Sequence, residues 1–208
     1  MLDGVAPLPA LSPTAQLVKS MISSRTRDEV SAAAYEHLKA QYRSSARLAA
    51  ARPADVEKVI ADVTFADAKA EYVVEALRRF EAQRGDFQLA FLGDVSIHAA
   101  LGWLERLPGV GRKVAASVLN ASMLGRPVFI VDTHVMRVLG RLGFVSPRSR
   151  PRLASEAVTA TMTDWAANDF LLFHVQLKRL GQQICHDKAP ECVRCPLADD
   201  CPSARSLT

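Results

Sequence analysis

Apolar residues recur at helical spacing along most of the chain. Leu17, Val18, Met21 and Ile22 form one such stripe, and comparable stripes continue into the C-terminal part. Spacings of three and four residues place these side chains on one face of a helix. No stretch alternates apolar and polar residues as a half-buried strand would, so the pattern predicts an all-α protein. Helices are predicted over residues 14–22, 53–60, 71–84, 156–162 and 170–184. Another is predicted to be capped by Asp28 and to bury Val30, Ala33, Ala34 and Leu38. The helix 170–184 is predicted to carry Leu171, Leu172, Val175 and Leu180 on its apolar faces.

One longer segment, residues 85–98, interrupts this pattern. It contains Phe87, Leu89, Phe91 and Leu92 without a helical period. Apolar side chains of this size are normally buried. The segment is therefore predicted to be a partly buried loop or a short additional helix.

Two helices are predicted to meet in a tight turn at residues 107–113, LPGVGRK. Pro108 and two glycines end the first helix, and Val114 begins a new apolar stripe. Glycine permits positive φ and close approach of the backbone to another molecule. The N–H groups at the start of the second helix favour an anion, such as a DNA phosphate. The turn alone is equally compatible with an ordinary helix connection that binds no ligand.

Lys113 and Asp132 are the candidate chemical groups. Lys113 falls in the first turn of a predicted helix, where the helix dipole disfavours an ammonium. If it is also partly buried, its pKa falls and the amine becomes a nucleophile; otherwise it is a solvated surface lysine. The apolar run 129–131 brings Asp132 to a helix start. There it can be a plain N-cap, a catalytic carboxylate or both.

The four cysteines lie together near the C-terminus. Cys185, Cys192, Cys195 and Cys201 are arranged as Cys-x6-Cys-x2-Cys-x5-Cys. Such a cluster in a chain without a secretion signal favours metal binding over disulfides. Thiolate spacing alone does not separate zinc from an iron–sulfur centre.

Length and charge narrow the choice of function. The 208 residues suffice for one large domain or two small ones, and the net charge is +4. This modest basic bias is compatible with nucleic-acid binding. No apolar run is long enough to span a membrane, and the N-terminus lacks the features of a signal peptide. A cytoplasmic protein is expected.

The motifs LPGVGRK and VDTH, followed by the four cysteines, resemble the endonuclease III family in order and spacing. These are helix-hairpin-helix DNA glycosylases with an iron–sulfur cluster, and the resemblance runs from about residue 12 to residue 202. It implies a two-domain all-α fold. One domain is a six-helix barrel, residues 14–126. The other combines residues 1–13 and 127–208 and holds a [4Fe–4S] cluster on the four cysteines.

The resemblance also implies a reaction. Lys113 would attack the sugar C1′ of a flipped nucleotide, expel the base and form a Schiff base, after which β-elimination breaks the strand. Asp132 would support the developing positive charge and assist proton removal from Lys113 across the cleft between the domains. The expected substrates are oxidised pyrimidines in duplex DNA and abasic sites. A monomer working at the nucleoid is expected.

Several residues are predicted to contact DNA by the same resemblance. Arg25 occupies the place of a family glutamine that fills the gap left by the flipped base, and Phe65 that of an apolar wedge. Thr64 and Ala66 depart from the family's turn at this point. The alternative for Arg25 is an ordinary solvated arginine, and the alternative for Phe65 is a phenylalanine of the hydrophobic core. The full set is Gly109, Val110, Gly111, Arg112, Arg25, Phe65, His134 and Lys188.

Two other functions stay open at this stage. The departures at Arg25, Thr64 and Ala66, with the long segment 85–98, are compatible with a shifted or narrow substrate range or with mainly abasic-site cleavage. The other alternative is a non-catalytic iron–sulfur protein that binds DNA. The presence of both Lys113 and Asp132 argues against it.

Overall fold

The computed structural model describes residues 10–146 and 148–205. These residues form eleven α-helices and two short 3-10 helices, and they contain no strand beyond an isolated bridge between Leu11 and Ser122. The predicted all-α class is confirmed. The α-helices are α1 (Pro13–Ser23), α2 (Asp28–Tyr42), α3 (Ser45–Ala50), α4 (Pro53–Val59), α5 (Ala66–Arg84), α6 (Ile97–Leu104), α7 (Arg112–Asn120), α8 (Thr133–Arg141), α9 (Pro151–Thr161), α10 (Ala167–Gln183) and α11 (Pro202–Arg205).

The chain divides into two compact units, Met1–Gly125 and Arg126–Thr208. The sequence places the boundary at nearly the same point. Its assignment of residues 1–13 to the second domain stays a prediction, because residues 1–9 lie outside the described part. Leu11 forms its bridge with Ser122 inside the first unit.

The first unit is built around α1, α5 and α7, and its core is apolar. Helix α1 packs against α2, α5 and α7, while α3 and α4 pack against α5. The Ser12 hydroxyl caps α1 by accepting a hydrogen bond from the Ala15 N–H at 3.3 Å. The predicted face of α1 is buried. Fully buried side chains of this unit include Leu17, Ile22, Ile60, Leu77, Phe80, Leu89, Leu92, Leu104 and Leu119.

Three local expectations in the sequence were wrong in detail. Arg27, and not Asp28, is the N-cap residue of α2, and the Arg27 side chain makes no capping hydrogen bond. The buried face of α2 consists of Ser31, Ala34, Tyr35 and Leu38. Ala33 lies outside this face and is exposed. Helix α9 begins at Pro151, earlier than predicted. Proline suits this first helical position because its missing N–H has no partner inside the helix anyway.

The segment 85–98 folds onto the end of α5. Its centre is a 3-10 helix, Ala90–Gly93, as the short-helix alternative anticipated. Phe87 packs edge-on against Phe80, and Phe91 packs edge-on against Trp103. The Arg84 guanidinium lies 4.1 Å from the centre of the Phe91 ring. These aromatic contacts explain why the segment carries so many large apolar residues.

The second unit is organised by α8 and α10, which pack against each other. Gly181 makes the close approach possible, because a Cβ atom there would lie 2.9 Å from the Cβ of His134. Leu172, predicted to lie on an apolar face of α10, is 46% exposed. The buried face of α10 consists instead of Phe170, His174, Leu177 and Gly181.

Among the residues that the structure describes, no helix combines the length and apolar character that crossing a membrane requires.

Candidate functional site

The helix-hairpin-helix turn alternates buried side chains with exposed backbone. Leu107 and Val110 are buried in the first unit, whereas Gly109 and Gly111 are exposed. The Val110 N–H donates to the Leu107 carbonyl at 3.2 Å and closes the turn. The buried side chains of Leu107 and Val110 therefore hold the loop against the core and leave its glycine backbone at the surface. Of the four predicted DNA contacts 109–112, Val110 has a buried side chain and uses its N–H within the turn, so it supports the loop from inside the unit.

Gly109 is required by its surroundings as well as by its backbone. Its φ is +70°, and a Cβ atom at this position would lie 2.6 Å from the Cβ of Tyr72. Tyr72 belongs to α5, so the hairpin rests directly on that helix. A glycine here permits both the left-handed conformation and the close contact.

Arg112 and Lys113 have different environments in the first turn of α7. The Arg112 side chain is buried and its Nε donates to Oε1 of Glu105, the residue that follows α6. This ion pair joins the two helices of the hairpin. Lys113 is half-buried. Its place in the first turn of α7, as predicted, puts its ammonium near the positive end of the helix dipole.

Arg25 and Phe65 lie on two neighbouring loops of the same unit. Both adopt left-handed backbone conformations, with φ of 56° and 59°. Both side chains are exposed, and Phe65 is 56% exposed despite its apolar ring. The loops are joined by a hydrogen bond from the Thr64 N–H to the Thr26 hydroxyl at 3.2 Å. An exposed phenylalanine in a strained conformation is unlike a core residue.

Asp132, in the second unit, is the N-cap of α8. Its Oδ1 accepts a hydrogen bond from the Val135 N–H at 2.8 Å. Val131 is buried just before it, so the apolar run ends at a half-buried carboxylate. The predicted N-cap is confirmed. This bond uses one carboxylate oxygen and leaves Oδ2 available for a chemical role.

His134 lies on the first turn of α8 and contacts Arg137 and Gly181. The Arg137 Nη2 lies 3.2 Å from the His134 Nδ1 and donates to the Gly181 carbonyl at 2.7 Å. Its Nε donates to the Cys185 carbonyl at 2.9 Å. Arg137 therefore fixes the start of α8, α10 and the first cysteine together. No motif in the sequence marks Arg137 for this role.

The four cysteines line one small cavity of about 30 Å³ in the second unit. None of them forms a disulfide, and each is partly buried. Ile184, Pro190 and Ala204 supply apolar walls. Arg141 Nη1 lies 3.2 Å from the Cys185 Sγ, and the same guanidinium donates to the carbonyls of His186 and Asp187.

Donor type and surroundings fit a thiolate-bound metal centre. Four cysteines converge on one cavity, which is what zinc or an iron–sulfur cluster requires. Among the described residues, no three His, Cys, Asp or Glu side chains are drawn together into finished ligand geometry. The cavity thus presents four cysteine sulfur atoms on a loop-rich tail. A bound metal would bring these sulfur atoms closer together.

The loop between the first two cysteines is closed by a backbone bond. The Glu191 N–H donates to the Ile184 carbonyl at 2.9 Å. Arg194, and to a smaller extent His186, hold the pKa of the Glu191 carboxyl below its usual range. Lys188 lies in this loop and is exposed, as a phosphate contact requires.

Comparison with known proteins agrees with the family that the hairpin and the cysteine motif indicate. Residues 18–162 match the model of the HhH-GPD superfamily base excision DNA repair proteins. A protein named Endonuclease III from Thermotoga maritima is 32% identical over 187 residues, covering 89% of this chain and 80% of that protein. A thymine-DNA glycosylase from Aeropyrum pernix is 28% identical over 91% of this chain and 82% of its own length.

The solved structures agree on the fold. A structure described as a trapped endonuclease III–DNA covalent intermediate superposes with a TM-score of 0.78 at 22% identity. It covers 99% of this chain and 90% of that one. The helical architecture of the chain is thus one already found in complex with DNA.

Proposed function

The chain belongs to the HhH-GPD superfamily of base excision DNA repair proteins, as a member of the endonuclease III family, and from this premise we propose a bifunctional reaction for it. It is a DNA glycosylase of base excision repair. The proposal adds cleavage of the DNA strand at the resulting abasic site. The observation that carries it is Lys113 in the first turn of α7, directly after the exposed glycines of the hairpin.

The hairpin would hold the strand. The backbone of Gly109, Gly111 and Arg112 faces the surface or begins α7, where N–H groups and the helix dipole favour a phosphate. Such contacts position a protein without reading sequence. Lys188, on its exposed loop, is proposed as a further phosphate contact, and His134 as a contact near the start of α8. A base within a duplex must be flipped out before it can react.

Lys113 would be the nucleophile. Its neutral amine attacks C1′, the bond between C1′ and the base breaks, and the base leaves with the bonding electrons. Asp132 is proposed to accept the proton that Lys113 loses and to stabilise positive charge at the sugar. The nitrogen lone pair then forms the C1′=N bond of a Schiff base while the C1′–O4′ bond of the sugar ring breaks and O4′ takes up a proton. This Schiff base acidifies a C2′ hydrogen. Loss of that proton expels the 3′ phosphate by β-elimination. No water enters the bond-breaking step, unlike in a monofunctional glycosylase.

Cys185, Cys192, Cys195 and Cys201 are proposed to hold a [4Fe–4S] cluster. The bound cluster supplies a cross-link between four points of a loop-rich tail and takes no part in bond breaking. Its ligands flank Lys188, so the cluster would also fix a DNA-binding loop. We further propose that the protein acts as a monomer at the nucleoid, with duplex DNA as its partner.

Oxidised pyrimidines are the proposed substrates, in line with relatives named Endonuclease III. A second substrate class deserves a direct comparison. Arg25 stands where the resemblance places a glutamine, and one relative is named a thymine-DNA glycosylase. Arg25 differs from an amide in charge and reach, so it alters the group offered to the opposite base. Mismatched thymine is therefore the competing substrate.

Borohydride trapping tests the reaction. Duplexes carrying thymine glycol, a T·G mismatch or an abasic site are mixed with the protein, and the Schiff base is reduced to a stable adduct. We expect adducts on thymine glycol and on the abasic site that vanish in Lys113→Ala. Lys58→Ala, which removes an exposed lysine of α4, should leave them unchanged.

Other outcomes would change the proposal. An adduct on the abasic site alone would reduce the function to abasic-site cleavage, and an adduct on the T·G duplex in place of thymine glycol would move the substrate to mismatched thymine. The absence of every adduct with DNA binding intact would overturn the Schiff-base reaction. Base release without an adduct would then indicate a monofunctional glycosylase, and no base release would establish the non-catalytic alternative. Metal analysis tests the centre separately: four iron atoms per chain are expected, and one zinc without iron would contradict the cluster.

A further inference from the structure

Lys69 is a buried lysine that belongs neither to the hairpin nor to the cysteine tail. It lies in the first turn of α5 and is only 8% exposed. Its Nζ donates to the carbonyl of Ile22 at 2.8 Å, the carbonyl of Ser24 at 2.5 Å and the hydroxyl of Thr26 at 3.1 Å. An ammonium has three hydrogens, and each has an acceptor here. The side chain is thus fully engaged at one place.

The acceptors belong to the end of α1 and the loop that follows it. The last carbonyls of a helix have no partner within it, and its dipole favours a cation there. Lys69 supplies that cation from another helix. The Thr26 hydroxyl accepts from Lys69 and also from the Thr64 N–H. One lysine and one threonine therefore tie the loop after α1 to the turn before α5.

These ties flank the two strained residues. Arg25 lies between the two loop residues that Lys69 binds, Ser24 and Thr26. Phe65 directly follows Thr64. A left-handed conformation is unfavourable for a residue other than glycine, and it persists only where the surroundings fix it. The hydrogen bonds of Lys69 and Thr26 are the fixing contacts beside both positions.

Lys69 also lies near the candidate nucleophile. Tyr72, one turn further along α5, contacts Gly109 of the hairpin that leads into Lys113. Burial, and to a smaller extent the charge of Lys113, lower the pKa of Lys69 to about 8. Repulsion between two ammonium groups is mutual, so a charged Lys69 disfavours the ammonium form of Lys113. The charged group acting on Lys69 is Lys113; its other neighbours are the two carbonyls and the hydroxyl.

We propose that Lys69 is a positioning residue of the repair site, which fixes the Arg25 and Phe65 loops as one block and keeps the Lys113 amine reactive through its charge. The inference rests on the proposed Schiff-base reaction. It assigns Lys69 no contact with the reacting atoms. Its two tasks, a mechanical one and an electrostatic one, can be separated by substitution.

Three variants separate the tasks. Lys69→Met removes the charge and the hydrogen bonds, whereas Lys69→Arg keeps a charge and several donors. Thr26→Val removes only the hydroxyl that joins the two loops. Lys58→Met, on exposed α4, is the matched lysine control. The readout is the single-turnover rate of borohydride trapping on abasic-site duplex between pH 6 and 8, with thermal unfolding to verify folding.

The expected results differ between variants. Lys69→Met should trap at least tenfold more slowly at pH 7, and its deficit should narrow toward pH 8, where Lys69 of the wild type begins to lose its own charge. The reason is that Lys113 then lacks a repelling neighbour and keeps its proton longer. Lys69→Arg should retain the wild-type pH profile. Thr26→Val should trap several-fold more slowly at every pH without a change of profile.

The contrary results are equally definite. Trapping by Lys69→Met at the wild-type rate and with the wild-type profile would overturn the proposal. A slower rate with an unchanged profile would make Lys69 a structural tie only and also overturn it. If Lys69→Met does not fold, Thr26→Val decides, and a wild-type rate there overturns the proposal. Failure of wild type itself to form an adduct would overturn the proposed function and, with it, this inference.

Discussion

Gly109 lies against Tyr72 so closely that a Cβ atom at position 109 would come within 2.6 Å of the Tyr72 Cβ. Together with its φ of +70°, this makes Gly109→Ala costly. The left-handed conformation costs about 1–2 kcal/mol, and overpacking typically adds about 1–3 kcal/mol. We expect urea unfolding to show a loss within the sum of these ranges, and DNA affinity to fall because the hairpin must shift.

Gly111→Ala is the matched control for that substitution. Position 111 has an ordinary negative φ, and nothing lies within 4 Å of a Cβ atom placed there. Its unfolding free energy should stay close to wild type. If both alanine variants lose stability equally, the contact with Tyr72 is not what requires glycine at position 109.

The parts of the site that depend on local sequence were predictable. The start of α7 after Gly111 and the capping role of Asp132 follow from residues within one helical turn. Motif order and spacing then pointed to the family. Local rules succeed here because helix starts are decided by neighbouring groups.

The parts that depend on packing between distant segments were missed. Lys69 bonds residues more than 40 positions away. One signal was present, since Lys69 stands one turn before Val73 on the apolar stripe that continues to Leu77 and Phe80. A lysine on such a stripe indicates a buried charge that needs partners. Which partners it finds depends on how α1 packs against α5, and no spacing within α5 contains that information.

Asp132 can be tested without losing its cap. Asparagine caps helices about as well as aspartate, whereas alanine loses roughly 1 kcal/mol at this position. Asp132→Asn should therefore unfold like wild type yet lose at least a hundredfold in single-turnover base release, because the amide cannot serve as the proposed proton acceptor. Asp132→Ala should lose both. Wild-type turnover by Asp132→Asn would reduce Asp132 to a structural cap.

Arg137 should control how firmly the cysteine tail holds the proposed [4Fe–4S] cluster. Its guanidinium reaches the carbonyls of both Gly181 and Cys185, which the single ammonium of lysine cannot reproduce. Arg137→Lys should lose the visible absorbance of the cluster several-fold faster in the presence of a chelator. Arg179→Lys, on an exposed position of α10, is the control. Equal rates of loss in the two variants would show that Arg137 does not stabilise the tail.

Lys69 should leave a signature in the pH dependence of stability. Its pKa is about 8 in the folded chain and near its ordinary value of 10.5 when unfolded. Between these two pH values the unfolded chain holds a proton that the folded chain has released, so the unfolding free energy contributed by Lys69 rises with pH across this window. Below pH 8 both states are protonated and the contribution is constant.

An exposed lysine, Lys58, serves as the control for this trend. Urea unfolding of wild type, Lys69→Met and Lys58→Met at pH 7, 8, 9 and 10 measures this directly, and other titrating groups cancel in the differences. The gap between wild type and Lys69→Met should grow in favour of wild type above pH 8, and this growth should exceed any change in the gap between wild type and Lys58→Met. A constant gap would mean that Lys69 titrates alike in the folded and unfolded chains, and a shrinking gap would mean that the folded chain holds the Lys69 proton more tightly than the unfolded chain. Its burial between the two loops would then fail as the basis for its role beside Lys113.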